Sequence, residues 1–131
     1  MHNSYMEKIN VIIIDDDIAF CEALKFWFEI YDDINLMIYH DGVSFLNEYS
    51  NNHLGFLLID LFMPEMDGIT LLEELKHRKN KMPIIVISGH ADNATVNKIK
   101  KLGANEFLPK PFDAKLLLEK IQLISSQHLA S

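Results

Sequence analysis

Cysteine is almost absent from this sequence of 131 residues, and this scarcity excludes two classes of protein. Cys21 is the only cysteine, so the chain has neither a disulfide framework nor a cysteine-based metal cluster. The residue lies within an apolar helical pattern, which is typical of a small buried side chain. This composition suits a reducing cytosol.

Long apolar runs and excess positive charge are missing as well. No uninterrupted apolar run approaches the roughly 18 residues of a membrane-spanning helix, and the N-terminus lacks the arrangement of a signal peptide. The net charge of −7 opposes binding to a polyanion, and the basic residues at 76–81 are interpreted as a solvated helix end. We expect a cytoplasmic segment without direct nucleic-acid or membrane contact.

The apolar residues that are present follow two periods. Short continuous runs predict five strands, and apolar residues at helical spacing after each run predict five helices. The strands are predicted at residues 9–14, 35–40, 56–59, 84–87 and 105–108. Alternation of strands and helices predicts a doubly wound α/β fold, with a parallel sheet between two helical layers.

The chain length of 131 residues corresponds to one ordinary domain. We expect the domain to occupy residues 8–125. Residues 1–7 would form an N-terminal extension, and residues 126–131 a C-terminal tail or the start of a linker.

The stretch from residue 57 to residue 68 is the most informative part of the sequence. Three apolar residues run into Asp60, and Pro64 and Gly68 then interrupt regular structure. Asp60 is therefore predicted at the exposed carboxyl end of a buried strand, the edge where open α/β sheets place their chemistry. Asp67, directly before the next helical pattern, is the better candidate for a helix cap.

Parallel strands would bring further polar side chains to the same edge. The residues at the carboxyl ends of strands one, three, four and five are Asp15, Asp16, Asp17, Asp60, Ser88 and Lys110. Two like charges about 4 Å apart repel by roughly 4 kcal/mol at an effective dielectric constant near 20, so the carboxylates must bind a cation or hold protons. Oxygen ligands suit Mg²⁺, which leaves room for phosphate oxygens. With Lys110 and Ser88 on the phosphate side, the sequence predicts phosphoryl chemistry at a carboxylate.

These residues also carry a resemblance to a known family. The order and spacing of Ile14-Asp15-Asp16, Asp60 with Met63-Pro64 and Asp67-Gly68, Ser88-Gly89, and Lys110-Pro111-Phe112 resemble the receiver domain of two-component response regulators. The resemblance spans about residues 8–125. It implies a sheet of strand order 2-1-3-4-5.

The resemblance implies a role for each site residue. Asp60 would take a phosphoryl group from the phosphohistidine of a sensor histidine kinase or a phosphotransfer protein. Asp15, Asp16 and Asp60 would hold Mg²⁺ together with the backbone carbonyl of Phe62. Lys110 would pair with the phosphoryl oxygens. The protein would be a signalling switch that catalyses only its own phosphorylation and dephosphorylation.

The implied switch lies beside this site. Ser88 would be drawn toward the phosphoryl group while Phe107, the switch aromatic, turns inward. The surface of helix 4, strand 5 and helix 5 would then change toward an output domain or a downstream protein. The bond between Lys110 and Pro111 would be cis, and Asp17 is interpreted as a cap of the first helix.

Three further features bear on regulation. Phe62 and His90 flank the implied phosphorylation site, and we hypothesise that Phe62 shields the phosphoryl group from water; the alternative is an exposed loop aromatic. Residues 88–92 resemble receivers that precede DNA-binding or sigma-54-type ATPase domains, which implies transcription regulation. On the last helix, Leu116 and Leu123 extend the apolar stripe and indicate either a partner or homodimer surface or burial by neighbouring strands.

Two other functions fit parts of the pattern. Asp15 and Asp17 after an apolar strand resemble the start of a haloacid-dehalogenase-type phosphatase, but Ala19 replaces the expected Thr and no later paired-Asp motif follows. A flavodoxin-like flavin carrier would share the topology, but three aspartates in its first loop would repel a phosphate. The phosphorylated residue would distinguish the three functions.

Overall fold

Five strands and five helices alternate along the chain in the computed structural model, which describes residues 9–30 and 34–130, with side chains up to residue 126. In chain order the elements are β1 Ile9–Ile14, α1 Ile18–Ile30, β2 Ile34–Tyr39, α2 Gly42–Glu48, β3 Phe56–Asp60, α3 Gly68–His77, β4 Ile84–Ser88, α4 Asn93–Lys101, β5 Glu106–Pro109 and α5 Ala114–Ala130.

All five strands run parallel in one sheet of order β2-β1-β3-β4-β5, which confirms the predicted topology. Every residue of β3 and β4 is buried, because a parallel sheet is covered by helices on both faces. The register pairs Asp60 with Ile87 and Ser88 with Pro109. The carboxyl ends of β3, β4 and β5 therefore lie level with one another.

Successive residues of each strand face opposite layers, because side chains alternate across a strand. Val11 and Ile13 of β1 pack in one core with the inner faces of α1 and α5. Ile12 and Ile14 pack in the other core with α2, α3 and α4. Cys21 is a free, buried thiol in the first core.

Each of the five helices in the described residues begins at an aspartate. The carboxylate of this residue accepts a hydrogen bond from the backbone N–H three residues later, which satisfies one of the unpaired donors of the first turn. The five caps and their N–H donors are Asp17 with Phe20, Asp41 with Ser44, Asp67 with Thr70, Asp92 with Thr95 and Asp113 with Leu116. The expected caps at Asp17 and Asp67 are thus confirmed.

Several predicted boundaries differ from the structure, and four of the five strands differ by one residue at one or both ends. The strand expected at residues 35–40 is displaced by one residue, to Ile34–Tyr39. The last helix continues to Ala130 instead of ending near Ser125, because no glycine or proline follows Ser125 to stop it. The assignment of residues 1–7 to an extension lies outside the described residues.

Some apolar side chains face outward. Trp27 is exposed, because Leu24 and Phe28 occupy the inward face of α1. Leu116 and Leu123 on α5 are also exposed, so neighbouring strands do not cover them. Within the described residues, no helix is both long enough and apolar enough to cross a membrane.

Candidate functional site

Two buried carboxylates form the centre of the candidate site. Asp15 directly follows β1 and is fully buried, and Asp60 is the last residue of β3 and is only 5% exposed. Asp16, on the exposed side of the same loop, completes a group whose carboxylate oxygens lie within 4.8 Å of one another. The structure thus brings these three predicted residues together, although Asp60 is buried rather than exposed.

Lys110 supplies the positive charge of the site. It follows β5, and its ammonium nitrogen lies 2.7 Å from Asp15 Oδ2, 3.9 Å from Asp60 Oδ2 and 4.0 Å from Asp17 Oδ2. Asp15 Oδ2 is fully buried, and within the described part of the chain it makes this ion pair but no hydrogen bond. A hard divalent cation would satisfy such an oxygen, so the donor set fits Mg²⁺.

The Asp60 carboxyl has a pKa raised from 3.8 to about 7. Removal from water is the main cause, and the negative charge of Asp15 adds to it. The Lys110 ammonium and the backbone N–H of Phe62 lower the pKa but offset only part of the rise. Near neutral pH without a bound cation, Asp60 is therefore partly protonated.

The backbone around Asp15 is held by several contacts. Its N–H donates to the Tyr39 carbonyl at 2.9 Å, and its Oδ1 accepts from the Asp17 N–H at 2.9 Å. His40 Nδ1 and Cys21 Sγ lie 3.0 and 3.6 Å from its carbonyl oxygen. Burial, with the charge of Asp15, raises the pKa of the Cys21 thiol to about 12, so Cys21 remains protonated and is no candidate for a nucleophile.

The loop that follows Asp60 packs tightly against it. Leu61 donates to the Ile87 carbonyl at 2.9 Å, and the Gly68 N–H donates to the Leu61 carbonyl at 2.9 Å. A Cβ atom on Gly68 would lie 2.6 Å from the Asp60 carbonyl oxygen and 2.7 Å from Leu61 Cα. Only glycine fits there, which fixes the path of the chain out of the site.

The Ser88 hydroxyl is bound locally. Ser88 is fully buried at the end of β4, where its Oγ donates to the His90 carbonyl at 2.9 Å and accepts from the His90 N–H at 3.2 Å. The side chains of His90 and Phe62 are exposed, and Phe107 is half-buried against the core that contains Val86. Ser88 thus lies at the same sheet edge as the carboxylates but is engaged with its own loop.

Two aromatic residues lie near Lys110, and of these two only Phe112 belongs to one of the sequence motifs. The Lys110 ammonium lies 4.4 Å from the centroid of the Phe20 ring. The Phe20 ring meets that of Phe112 edge to face, with centroids 5.3 Å apart and planes at 75°. In the sequence, Phe20 is one apolar residue of a helical pattern, and the signal that could mark it is its place in the first turn after the Asp17 cap. The Lys110–Pro111 peptide bond beside this pair is cis.

The fold and the site together define the class of protein. An acidic site with a lysine, at the carboxyl edge of a parallel 2-1-3-4-5 sheet, is the arrangement expected of a phosphoryl-accepting signalling domain. A family model described as the response regulator receiver domain matches residues 11–122. The chain belongs to this family, and it is the receiver domain of a two-component response regulator.

Curated relatives agree with this assignment. The chain is 32% identical over 115 residues to the transcriptional regulatory protein FixJ of Bradyrhizobium diazoefficiens, covering 88% of this chain and 56% of the relative. It is 37% identical over 114 residues to the response regulator protein TodT of Pseudomonas putida, covering 86% of this chain and 49% of the relative. The chain spans about half the length of these relatives.

Solved structures give the same result. The chain matches FixJ-N with a TM-score of 0.74 and 31% identity, over 89% of this chain and 93% of that chain. It matches a CheY-like receiver domain protein from Methanospirillum hungatei JF-1 with a TM-score of 0.83 and 25% identity, over 95% and 100% of the two chains. These matches lend no support to the phosphatase or flavin-carrier alternatives.

Proposed function

We propose that Asp60 accepts a phosphoryl group from the phosphohistidine of a sensor histidine kinase or a phosphotransfer protein. The observation that carries the proposal is the convergence of Asp15, Asp16, Asp60 and Lys110 at the end of the sheet. The raised pKa of Asp60 supports it further, because strongly perturbed carboxyl groups cluster at functional sites.

Mg²⁺ would be held by Asp15, Asp16 and Asp60, with the backbone carbonyl of Phe62 as a fourth protein ligand. The buried oxygen of Asp15 that lacks a hydrogen-bond partner supports this assignment. When bound, the ion supplies charge neutralisation between the carboxylates and the phosphoryl oxygens.

Asp60 and Lys110 have separate roles in the transfer step. A carboxylate oxygen of Asp60 forms a bond to phosphorus while the P–N bond of the donor breaks, and the electron pair goes to the imidazole nitrogen of the donor. Lys110, already 3.9 Å from Asp60, donates hydrogen bonds to the phosphoryl oxygens and stabilises their negative charge. Water later cleaves the acyl phosphate, so the chain returns to its starting state without consuming a metabolite.

The proposed switch begins at Ser88. Its hydroxyl exchanges its two bonds to the His90 backbone for a bond to the phosphoryl group, and Phe107 moves inward. The surface formed by α4, β5 and α5 then changes its affinity for an output domain or a downstream protein. The relatives are named as transcriptional and response regulators, which supports transcription regulation as the process.

The exposed side chains around the switch offer two finer roles. Phe62 and His90 would set the lifetime of the acyl phosphate, with Phe62 shielding it from water. Leu116 and Leu123, both exposed on α5, would take part in a homodimer formed on phosphorylation.

Phosphorylation from acetyl phosphate tests the proposal. We expect a phosphoprotein that forms with Mg²⁺, fails to form with EDTA, and is strongly reduced in Asp15→Asn. Asp113→Asn is the matched control, because Asp113 is an aspartate near the same edge that only caps α5. Equal phosphorylation with and without Mg²⁺ would contradict the metal assignment. Wild-type behaviour of Asp15→Asn would contradict the role of the carboxylate group.

The shielding role of Phe62 has its own test. Phe62→Asn replaces an exposed ring with a side chain that admits water, and we expect the phosphorylated state to decay several-fold faster, corresponding to about 1 kcal/mol. The decay is followed by the loss of labelled phosphate from purified protein. An unchanged half-life would leave Phe62 as an exposed loop aromatic.

A further inference from the structure

We propose that Phe20 is a positioning residue for Lys110, and that Phe20 and Phe112 together form an aromatic clasp that fixes the lysine ammonium in the site. This inference rests on the proposed function, because it assigns Lys110 to the phosphoryl oxygens. Phe20 lies in the first turn of α1, and Phe112 lies two residues after Lys110.

The contact between Phe20 and Lys110 has cation–π geometry. The ammonium nitrogen is 4.4 Å from the ring centroid, within the roughly 6 Å over which the ring face attracts a cation. The Lys110 side chain is only 15% exposed, so little water competes for the ammonium. The same nitrogen makes ion pairs with the carboxylates of Asp15, Asp60 and Asp17.

A ring face acts differently from a polar side chain at this position. It attracts the positive charge but has no lone pair that would accept one of the three N–H groups of the ammonium. All three donors of Lys110 thus remain for the carboxylates and the incoming phosphoryl oxygens. Phe20 therefore fixes the position of the charge without consuming its hydrogen-bonding capacity.

The clasp also joins the two loops that supply opposite charges to the site. The backbone N–H of Phe20 donates to Asp17 Oδ1 at 3.0 Å, which fixes the start of α1 just after the acidic loop. The edge of one ring meets the face of the other across the gap between the β1–α1 and β5–α5 loops. Such a pair contributes beyond simple burial, so it links the start of α1 to the loop that carries Lys110.

Kinetic comparison of three variants tests the proposal. Phe20→Leu keeps an apolar side chain but removes the ring, and we expect phosphorylation by acetyl phosphate with Mg²⁺ to slow about three- to tenfold. The loss should appear mainly in the maximal rate rather than in the donor concentration at half-maximal rate, because Lys110 acts most strongly on the transferring group. Phe20→Tyr keeps the ring and should restore the rate. Phe26→Leu, in the exposed face of the same helix, is the matched control and should react like wild type.

A spectroscopic measurement separates positioning from general packing. The Cε protons of Lys110 should show an upfield ring-current shift in the wild-type protein, assigned by the loss of that signal in Lys110→Met. The shift should persist in Phe20→Tyr, decrease in Phe112→Leu and vanish in Phe20→Leu. This measurement needs no phosphorylation, so it tests the contact even if a variant reacts poorly.

The outcomes distinguish the two proposals. If wild type is phosphorylated on Asp60 and Phe20→Leu reacts at the same rate, the positioning role is wrong while the proposed function stands. If Phe20→Tyr is as slow as Phe20→Leu, the ring face is not the cause and the proposal is overturned. If wild type takes up no phosphoryl group, the proposed function is wrong. If the Lys110 Cε protons of wild type show no ring-current shift, the contact between Phe20 and Lys110 is also refuted.

Discussion

Aspartates near one edge of the sheet occupy two opposite kinds of environment in this protein. Five of them cap helices at exposed or half-buried positions, and hydrogen bonds from the side chain and backbone N–H of Ser44 and of Thr95 lower the pKa of the Asp41 and Asp92 carboxyls, respectively. Asp60, in contrast, is buried beside Asp15, and its pKa rises to about 7. The same side chain therefore stabilises a helix start or has a raised pKa, according to whether N–H donors and water or another carboxylate surround it.

The pH dependence of stability should show this difference most strongly. Without metal, the folded protein holds a proton on Asp60 up to a pH of about 7, whereas the unfolded chain releases it near pH 4. The folded state binds more protons between these values, so the free energy of unfolding falls as the pH rises from about 4 to about 7. Asp60→Asn lacks this fall, and we expect it to be more stable than wild type at pH 8 by at most about 4 kcal/mol.

Urea unfolding of both proteins at pH 5 and pH 8, in the presence of EDTA, measures this effect. Asp41→Asn is the control, because Asp41 is one of the five aspartates that cap helices. The Asp41 pKa is lowered, so its contribution is present above the unfolded pKa and is lost only as the pH falls toward the folded value. Identical pH dependence for wild type and Asp60→Asn would contradict the raised pKa.

The close packing behind Asp60 should give the next largest effect. Gly68→Ala places a methyl group 2.6 Å from the Asp60 carbonyl oxygen, and because that neighbour is backbone we expect a loss of about 3 kcal/mol, the upper part of the range for overpacking. Phosphorylation should fall as well, because the backbone that carries Asp60 must shift. Gly89→Ala meets no atom within 4 Å and should retain wild-type stability in the same denaturant experiment.

Removal of a single cap should have the smallest effect. Asp67→Ala loses the 2.8 Å bond from the Thr70 N–H, and we expect a decrease in stability of about 1 kcal/mol. Phosphorylation of Asp60 should be nearly unchanged, although residue 67 lies in the loop that follows Asp60. A loss of phosphorylation comparable to that of Asp15→Asn would show that the helix-capping aspartates and the aspartates of the candidate site do not have separate roles.

Much of the fold could be predicted from the sequence, for identifiable reasons. The strands β1, β3 and β4 are continuous apolar runs, since helices cover both faces of the sheet. Asp67 could be predicted as a cap because it directly precedes an apolar helical pattern. Asp15, Asp60 and Lys110 could be placed together because parallel strands align their carboxyl ends.

The unpredicted features depend on how side chains meet across distant loops. The Phe20 ring reaches an ammonium 90 positions away in the chain, and no local periodicity encodes that contact. The position of His40 beside the Asp15 carbonyl depends in the same way on the pairing of β2 with β1. The burial of Asp60, which sets its pKa, follows from the packing of the whole site rather than from its place at the end of a strand.

Intact-mass analysis after incubation with Mg²⁺ and acetyl phosphate tests the central claim most directly, with wild type and Asp60→Asn compared side by side. We expect wild type to gain the mass of one phosphoryl group only when Mg²⁺ is present, and Asp60→Asn to gain none. An equal gain of mass in Asp60→Asn, or no gain in wild type, would contradict the assignment of Asp60 as the phosphoryl acceptor.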